Sequence, residues 1–225
     1  MVALVFPALP TVTLPVTGRA ERFPVRRIFC VGRNYAEHTK EMGGDPEKEA
    51  PFFFTKPADA VVESGSRIPY PAATSNLHHE GELVVAIGKG GAMVSEEGAV
   101  AMIWGHAAGN DLTRRDLQAE AKANRRPWDM AKGFDKSAIV GAIRPGALPE
   151  ARLRCSVNGA VRQEASLSDM IWTPASIIAA LSQMVSLSPG DLIFTGTPAG
   201  VGPLNRGDTC KVEIDGLQSA SVIIA

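Results

Sequence analysis

The chain has 225 residues, enough for one large domain or two small ones around a substantial buried core. Hydrophobic residues make up 45% and charged residues 21% of it, which excludes a largely disordered protein. The net charge is −1, so charge alone does not attract the molecule to nucleic acid or to anionic lipid.

The first segment, residues 1–24, is predicted to be an extended N-terminal arm. Pro7, Pro10 and Pro15 interrupt its apolar stretch, and no basic residues precede that stretch, so it is not typical of a signal peptide. Residues 25–225 contain no clear linker and no internal repeat, and we expect them to form a single domain.

Short elements separated by turns are predicted along the first half of this domain. Its strands are expected over residues 27–31, 51–55, 82–88 and 103–110. Its helices are expected over residues 34–42, from Glu96 behind the cap Ser95, and over residues 113–123. The Gly43-Gly44 pair is expected to end the first of these helices.

The second half is predicted to contain two hairpins, one helix and one further strand. Asn158-Gly159 and Asp215-Gly216 separate apolar runs over 153–157 and 161–164, and over 210–214 and 218–224. A helix is expected to begin at Pro174 behind the cap Thr173 and to end near Val185, followed by a strand over 191–195. The prolines and polar residues within 170–190 argue against a membrane span, which needs about 20 predominantly apolar residues.

Strands dominate these predictions and do not alternate regularly with helices. This favours an α+β, β-rich fold of mixed or antiparallel sheets over a Rossmann fold. Cys30, Cys155 and Cys210 are widely spaced and odd in number, which argues against a disulfide framework or a zinc ribbon and favours a reducing cytoplasm. Cys30 lies in an apolar strand pattern, so we expect it to be a buried core thiol rather than a nucleophile.

The first candidate site is the Glu80-Gly81-Glu82 segment ahead of the strand over 82–88. If the strand extends back to Glu80, both carboxylates lie on one face, and a divalent cation would remove their mutual repulsion. Oxygen ligands favour magnesium, manganese or calcium, and Asp111, at the end of the strand over 103–110, could be the third ligand. The alternative from spacing alone is a solvated strand face with Asp111 capping a helix.

The second candidate is the pair His38 and Glu41, three positions apart on one short helix. Such a pair can hydrogen-bond, and a carboxylate that fixes an imidazole's tautomer makes it a competent base for activating water. A surface histidine beside a surface glutamate is the alternative. The glycine-rich run 196–202 could present backbone N–H groups to an anion, or could be an ordinary crossover.

Six stretches, taken together, resemble the fumarylacetoacetate hydrolase family, and within it the short acylpyruvate and fumarylpyruvate hydrolases. In chain order these stretches are CVGRNYAEHTKEM (30–42), NLHHEGEL (76–83), NDLTRRDLQ (110–118), MAKGF (130–134), VNGAVRQE (157–164) and GDLIFTGTPAGVG (190–202). They occur in uninterrupted order over about residues 25–225, which makes the combination specific although each motif alone is weak.

The resemblance implies mixed β-sheets rolled around a metal site, in a catalytic domain over 25–225 that assembles as a homodimer. It places the metal ligands at Glu80, Glu82 and Asp111, with Mg²⁺ or Mn²⁺ as the cofactor and Ca²⁺ as an inactive substitute. The larger members of the family carry a fourth carboxylate ligand upstream, to which no residue of this sequence is assigned, and water is expected at that position. The resemblance also implies a base pair formed by His38 and Glu41, on a lid over residues 33–44.

The same resemblance assigns Lys132 to catalysis and four residues to substrate contacts: Arg33, Arg115, Gln118 and Thr197. The implied reaction is hydrolysis of the carbon–carbon bond of a 2,4-diketo acid, such as fumarylpyruvate, to pyruvate and a carboxylic acid. Oxaloacetate decarboxylation, or a related isomerase or hydratase reaction at the same site, is the alternative. A non-catalytic, metal-stabilised binding protein is a third hypothesis, and no nucleic-acid or membrane partner is expected.

Overall fold

The computed structural model describes residues 3–41 and 50–225, except for the side chain of Lys40. The described strands are β1 (Thr13–Pro15), β2 (Arg22–Pro24), β3 (Arg27–Gly32), β4 (Phe52–Lys56), β5 (Val61–Glu63), β6 (Ser66–Ile68), β7 (Leu77–His79), β8 (Gly81–Ile87), β9 (Ile103–Asp111), β10 (Thr113–Arg114), β11 (Ala138–Val140), β12 (Arg144–Pro145), β13 (Arg152–Val157), β14 (Ala160–Ser166), β15 (Asp191–Phe194), β16 (Gly202–Leu204), β17 (Thr209–Ile214) and β18 (Ala220–Ile224). The helices are α1 (Ala36–Glu41), α2 (Glu96–Val100), α3 (Arg115–Ala123), α4 (Asp129–Lys132) and α5 (Pro174–Ser182), with 3₁₀ turns at Ala58–Ala60 and Leu167–Asp169.

A mixed eight-stranded sheet forms the centre of the fold. Its strand order is β4-β3-β15-β8-β9-β11-β5, with β12 beside β9. The pairs β15–β3 and β11–β5 are parallel, whereas β8 and β9 form a long antiparallel pair. Every residue of β8 is buried, because both faces of the sheet are covered.

The two faces of β8 contribute to two different cores, as the period of two along a strand requires. Leu83 and Val85 lie in the larger core, against residues of the second sheet such as Leu153. That five-stranded sheet has the order β14-β13-β17-β18-β6. Val84 faces the smaller core, which it shares with Leu14 of the N-terminal β1–β2 hairpin.

A small three-stranded sheet, β10-β7-β16, lies at the end of β8 where the candidate site residues are concentrated. It places β7 directly before Glu80 and pairs that strand with the Thr113–Arg114 strand. Within the described residues, the structure contains no helix with the length and apolar character that crossing a membrane requires.

The strand-rich α+β fold class predicted from the sequence is confirmed. The Asn158-Gly159 hairpin is also confirmed, with φ values of 52° and 81° that suit a tight two-residue turn. The helix predicted over 113–123 begins instead at Arg115, because Thr113 and Arg114 pair with β7. The helix predicted to end near Val185 ends at Ser182.

Two predictions concern the segment around the first helix and the N-terminal arm. The helix predicted over 34–42 is observed over Ala36–Glu41, and its predicted end at Gly43-Gly44 lies outside the described residues. The arm predicted over 1–24 contains the β1–β2 hairpin, with Leu14 and Phe23 buried, whereas Phe6 is 78% exposed.

Candidate metal centre and active site

Three carboxylates meet where β8 and β9 end. Glu82 lies on β8, Glu80 occupies the break between β7 and β8, and Asp111 is the last residue of β9. The antiparallel register pairs Gly81 with Asn110, and the Asp111 amide donates a 2.9 Å hydrogen bond to the Glu80 carbonyl. All three side chains are buried, and one oxygen from each lies within 4.8 Å of the others.

Two buried lysines balance part of this negative charge. Lys132 Nζ lies 2.7 Å from Glu80 Oε2 and 2.8 Å from Asp111 Oδ2. Lys56 Nζ, at the end of β4, lies 2.7 Å from Asp111 Oδ1. Its ammonium also donates to the main-chain carbonyls of Leu112 and Lys132.

The charges give the three carboxylates unequal environments. Burial raises the pKa of Glu82, and the negative charges of Asp111 and Glu80 raise it further. Burial acts in the same direction on Glu80, but Lys132 and Arg115 hold the pKa of that carboxyl well below its usual range. The pKa of Lys132 is raised, because Asp111 and Glu80 outweigh the effect of burial.

This set of donors fits a hard divalent cation. Its ligand atoms are all carboxylate oxygens, which suit Mg²⁺, Mn²⁺ or Ca²⁺ better than softer metals. Glu82 makes no ion pair with any described lysine or arginine, and its repulsion from the other two carboxylates is the unbalanced part of the cluster. A dication held between the three would neutralise that repulsion.

His38 and Glu41 lie together on α1, as the sequence predicted. His38 is buried, and its Nδ1–H donates to Glu41 Oε2 at 3.1 Å. Burial lowers the pKa of His38 below its usual value, although Glu80 and Glu41 act in the opposite direction. The imidazole is therefore neutral at neutral pH, with Nε2 available to accept a proton.

The backbone of the glycine-rich run after β15 hydrogen-bonds one carboxylate of the metal cluster, Glu82, and the carboxylate of the His38–Glu41 pair. The Gly196 amide donates a 2.7 Å hydrogen bond to Glu82 Oε2, and the Gly200 amide lies 3.3 Å from both oxygens of Glu41. Both glycines have positive φ values, 96° and 95°. The backbone N–H groups predicted for an anion thus contact anionic side chains of the protein itself.

The four predicted substrate contacts, Arg33, Arg115, Gln118 and Thr197, all line one pocket together with His38, Glu80, Glu82 and Lys132. Arg115 forms an ion pair with Glu80, and its Nη1 donates to Gln118 Oε1 at 2.6 Å. The Thr197 hydroxyl donates to the Gly81 carbonyl at 2.9 Å. Arg33 has a φ of 62°, and its guanidinium lies 5.9 Å from the centre of the Phe52 ring.

Sequence reasoning missed Lys56 and Lys122. From the sequence alone, the run Phe52-Phe53-Phe54 and Trp128 could either line the acyl pocket or pack in the core. The structure places Lys122, Phe52, Phe54 and Trp128 in the pocket wall, and Phe53 packs against the larger core. The pocket and the solvent at its mouth together contain about 360 Å³ of space not occupied by protein atoms. Phe52 and Phe54 alternate along β4, so the period of two was a signal that could have assigned them to one face.

The family model described as "Fumarylacetoacetate (FAA) hydrolase C-terminal" matches residues 27–223. The chain belongs to this family. Fumarylpyruvate hydrolase of Ralstonia sp is 43% identical over 183 residues, which cover 80% of this chain and 95% of the relative. The mitochondrial oxaloacetate tautomerase of Mus musculus is 43% identical over 198 residues, which cover 86% of this chain and 89% of the relative.

Among solved structures, the chain is similar to fumarylpyruvate hydrolase from Pseudomonas aeruginosa in complex with Mn²⁺ and pyruvate. The TM-score is 0.97 at 46% identity, and the alignment covers 99% of each chain. These findings confirm the predicted family and the predicted enzyme class, a hydrolase acting on carbon–carbon bonds.

Proposed function

We propose that this protein is a divalent-metal-dependent hydrolase that cleaves acylpyruvates, such as fumarylpyruvate, to pyruvate and a carboxylic acid. The observation that carries the proposal is that His38 lines the same pocket as Glu80 and Glu82. The imidazole of His38 suits activation of water, and the carboxylates of Glu80 and Glu82 suit a hard cation. The names of the Ralstonia and Pseudomonas relatives support the choice of substrate.

In this proposal Glu80, Glu82 and Asp111 hold Mg²⁺ or Mn²⁺. Mn²⁺ is supported by its presence in the Pseudomonas structure, and Ca²⁺ would be an inactive substitute. When bound, the cation supplies Lewis-acid polarisation of the substrate's 2-oxo group and stabilises negative charge on that oxygen. The chain's own residues perform the remaining steps.

His38 acts as the general base. Its Nδ1–H is engaged by Glu41, so Nε2 is the atom that takes a proton from water. The water oxygen bonds to the distal C4 carbonyl carbon, the C3–C4 bond breaks, and the electron pair leaves with the pyruvate enolate. The proton returns to C3, which gives pyruvate and the carboxylic acid. The Glu41 carboxylate stabilises the imidazolium between these two transfers.

Cationic and polar side chains orient the substrate. Lys132 is the cation best placed to stabilise the developing oxyanion or enolate, because its ammonium lies among the carboxylates that would hold the metal. Arg115 and Gln118 are held together by their hydrogen bond and would bind the substrate's polar groups as a unit. Arg33 and Thr197 contribute to the same wall, and α1 would limit the access of bulk water.

The experiment that tests this function is a substrate assay with controlled metal content. The purified protein is treated with a chelator and reloaded with Mn²⁺ or Mg²⁺, and pyruvate release from fumarylpyruvate is measured. We expect turnover with either ion and none with chelator. Turnover that is unaffected by the chelator, or no pyruvate release from any diketo acid, would contradict the proposal.

A second candidate is oxaloacetate tautomerisation or decarboxylation at the same site. The observation that favours it is the 43% identity to the mouse oxaloacetate tautomerase. These reactions also pass through an enol or enolate of a 2-oxo acid, but they need no attacking water. Comparing oxaloacetate with fumarylpyruvate in the same preparation, by the ratio of kcat/KM values, separates the two candidates.

We further propose that the protein is a cytoplasmic homodimer. The exposed apolar side chains of the N-terminal segment, Leu4, Val5, Phe6 and Leu9, support a subunit contact there. The three buried free cysteines suit a reducing compartment. Light scattering of the full chain and of a variant with Val5 and Phe6 changed to serine tests the dimer. Fractionation of the source cells tests the location.

A further inference from the structure

One cation in the pocket has no part in the mechanism described above. Lys122 lies in the last turn of α3, half-buried, and lines the same pocket as Glu80 and His38. Its Nζ lies 5.2 Å from the centre of the Trp128 ring. A lysine in the last turn of a helix commonly interacts with the helix dipole, but this one is turned to the pocket wall.

Lys122 differs from the other described pocket cations in its partners. Lys132 and Arg115 each form an ion pair with Glu80, whereas no described carboxylate forms an ion pair with Lys122. Burial lowers the pKa of Lys122 to about 8, and the positive charges of Arg33 and Arg115 contribute to the shift. The ammonium is still mostly protonated at pH 7, so Lys122 carries a positive charge with no carboxylate counterion among the residues that the structure describes.

An aromatic wall connects Lys122 to the candidate metal centre. Trp128 packs edge-on against Phe52, with ring centres 5.2 Å apart, and lies 5.9 Å from Phe54. Lys132 Nζ is 4.9 Å from the Phe54 ring centre, whereas Lys122 contacts the Trp128 ring. The wall therefore presents flat apolar surface between the ring that Lys132 contacts and the ring that Lys122 contacts.

We propose that Lys122 binds a second carboxylate, at the far end of the substrate's acyl group. The aromatic wall would then accommodate a flat, unsaturated acyl chain, while the pyruvate half lies at the metal centre and the distal carboxylate at Lys122. The pocket would in this way select acylpyruvates whose acyl group ends in a carboxylate over those with a short uncharged acyl group. This inference rests on the proposed function and makes Lys122 a determinant of specificity.

The test compares two substrates in two variants. Lys122→Met keeps the aliphatic stem and removes the charge, and Lys122→Arg keeps the charge. For fumarylpyruvate, which has the distal carboxylate, we expect Lys122→Met to raise KM about 10-fold or more, with kcat nearly unchanged and most of the affinity restored in Lys122→Arg. For acetylpyruvate, which lacks that carboxylate, we expect less than about a 2-fold change.

Lys89→Met, in an exposed turn remote from the pocket, is the matched control for loss of one positive charge. A merely structural role for Lys122 would lower kcat, or raise KM, equally for both substrates. An equal effect on fumarylpyruvate and acetylpyruvate in Lys122→Met would therefore overturn the proposal.

A binding measurement keeps this result distinct from failure of the proposed function. Fumarate and crotonate share a four-carbon unsaturated skeleton, but only fumarate has a carboxylate at the second end. With Mn²⁺-loaded protein in a calorimeter, we expect fumarate to bind more tightly than crotonate, and Lys122→Met to abolish the difference. Equal affinities in the parent would overturn the inference. If the difference is present but no diketo acid is hydrolysed, the proposed function fails and the assignment of Lys122 as a carboxylate site stands.

Discussion

The two functional groups in this pocket are positioned in very different ways. The carboxylate cluster lies at the ends of β8 and β9, and Lys132 and Lys56 bridge it to other parts of the fold through four buried contacts of 2.7–3.2 Å. The His38–Glu41 pair lies on a six-residue helix, and the Glu41 side chain is 36% exposed. Two long contacts to the Gly200 amide connect that carboxylate to the rest of the described structure.

The two regions have different proposed roles in one pocket: the carboxylate cluster holds the metal, and the His38–Glu41 pair exchanges protons with water. A cluster of like charges must be held rigidly, because its members would otherwise move apart or become protonated. A base that exchanges protons with water needs one oriented nitrogen, which a single carboxylate partner can provide. We therefore expect changes in the cluster to affect metal binding and stability, and changes in the pair to affect turnover alone.

The largest effect is expected from Glu82→Gln. This variant removes a ligand charge but keeps an acceptor for the Gly196 amide, so metal affinity should fall by more than about 100-fold, and turnover with it. Without metal, the variant should be at least as stable as the parent, because one of three repelling charges is gone. Thermal unfolding with and without Mn²⁺ checks both points, because Mn²⁺ should raise the Tm of the parent but not that of the variant.

Asp111→Ala is the contrasting variant. It should also abolish metal binding and turnover, but it removes the carboxylate that Lys56 pairs with and leaves Lys132 paired with Glu80 alone, at a cost of about 3–5 kcal/mol in stability. Normal Mn²⁺ affinity in Glu82→Gln would contradict the assignment of the metal centre.

The second prediction concerns the His38–Glu41 pair. His38→Asn should lower kcat for fumarylpyruvate by about 10²–10⁴-fold, because the general base is lost. Mn²⁺ affinity should change little, since the side chain is not a ligand in the proposed centre. His106→Asn is the control, because His106 lies on β9 outside the pocket lining and its ring Nδ1–H donates to the Gly146 carbonyl. A parental rate in His38→Asn would show that another group activates the water.

The sequence suggested both regions, but spacing alone left an alternative open for each. The contact between His38 and Glu41 is local, so a spacing of three on a helix was enough to suggest it. The meeting of Glu80 with Asp111 depends on the register of β8 against β9, and spacing alone left it open. The resemblance to a family, rather than any local pattern, favoured both the cluster and the pair over their alternatives.

The residues that sequence reasoning missed are those that long-range packing brings to the site. Lys56 hydrogen-bonds the carbonyl of Lys132, 76 positions away, and no periodic pattern encodes that contact. The Thr113–Arg114 strand was missed for the same reason, because its pairing with β7 overrides local helical composition. The Asn158-Gly159 hairpin was predicted well, because turn chemistry alone specifies it.

The third prediction tests whether the positive charge of Lys56 stabilises the carboxylate cluster. Lys56→Met removes a buried cation and leaves Asp111 with one ion pair fewer, so the metal-free protein should lose about 3–5 kcal/mol of stability. Mn²⁺ should recover part of that loss, since a dication replaces the missing positive charge. Chemical denaturation with and without the ion measures both. Equal losses in the two conditions would mean that Lys56 acts on packing and not on the charge of the cluster.

The smallest effect is expected from Glu41→Gln, measured as a pH profile. His38 must be neutral to act as a base, so kcat/KM falls as the pH drops through the His38 pKa, which burial already places below its usual value. Glu41 raises that pKa, both by its hydrogen bond and by its charge. Removing the charge should therefore move the acidic limb of the profile to lower pH, while the maximal rate falls about 10-fold because the imidazolium is less stabilised. A limb that moves to higher pH, or does not move, would show that the group titrating in the profile is not His38.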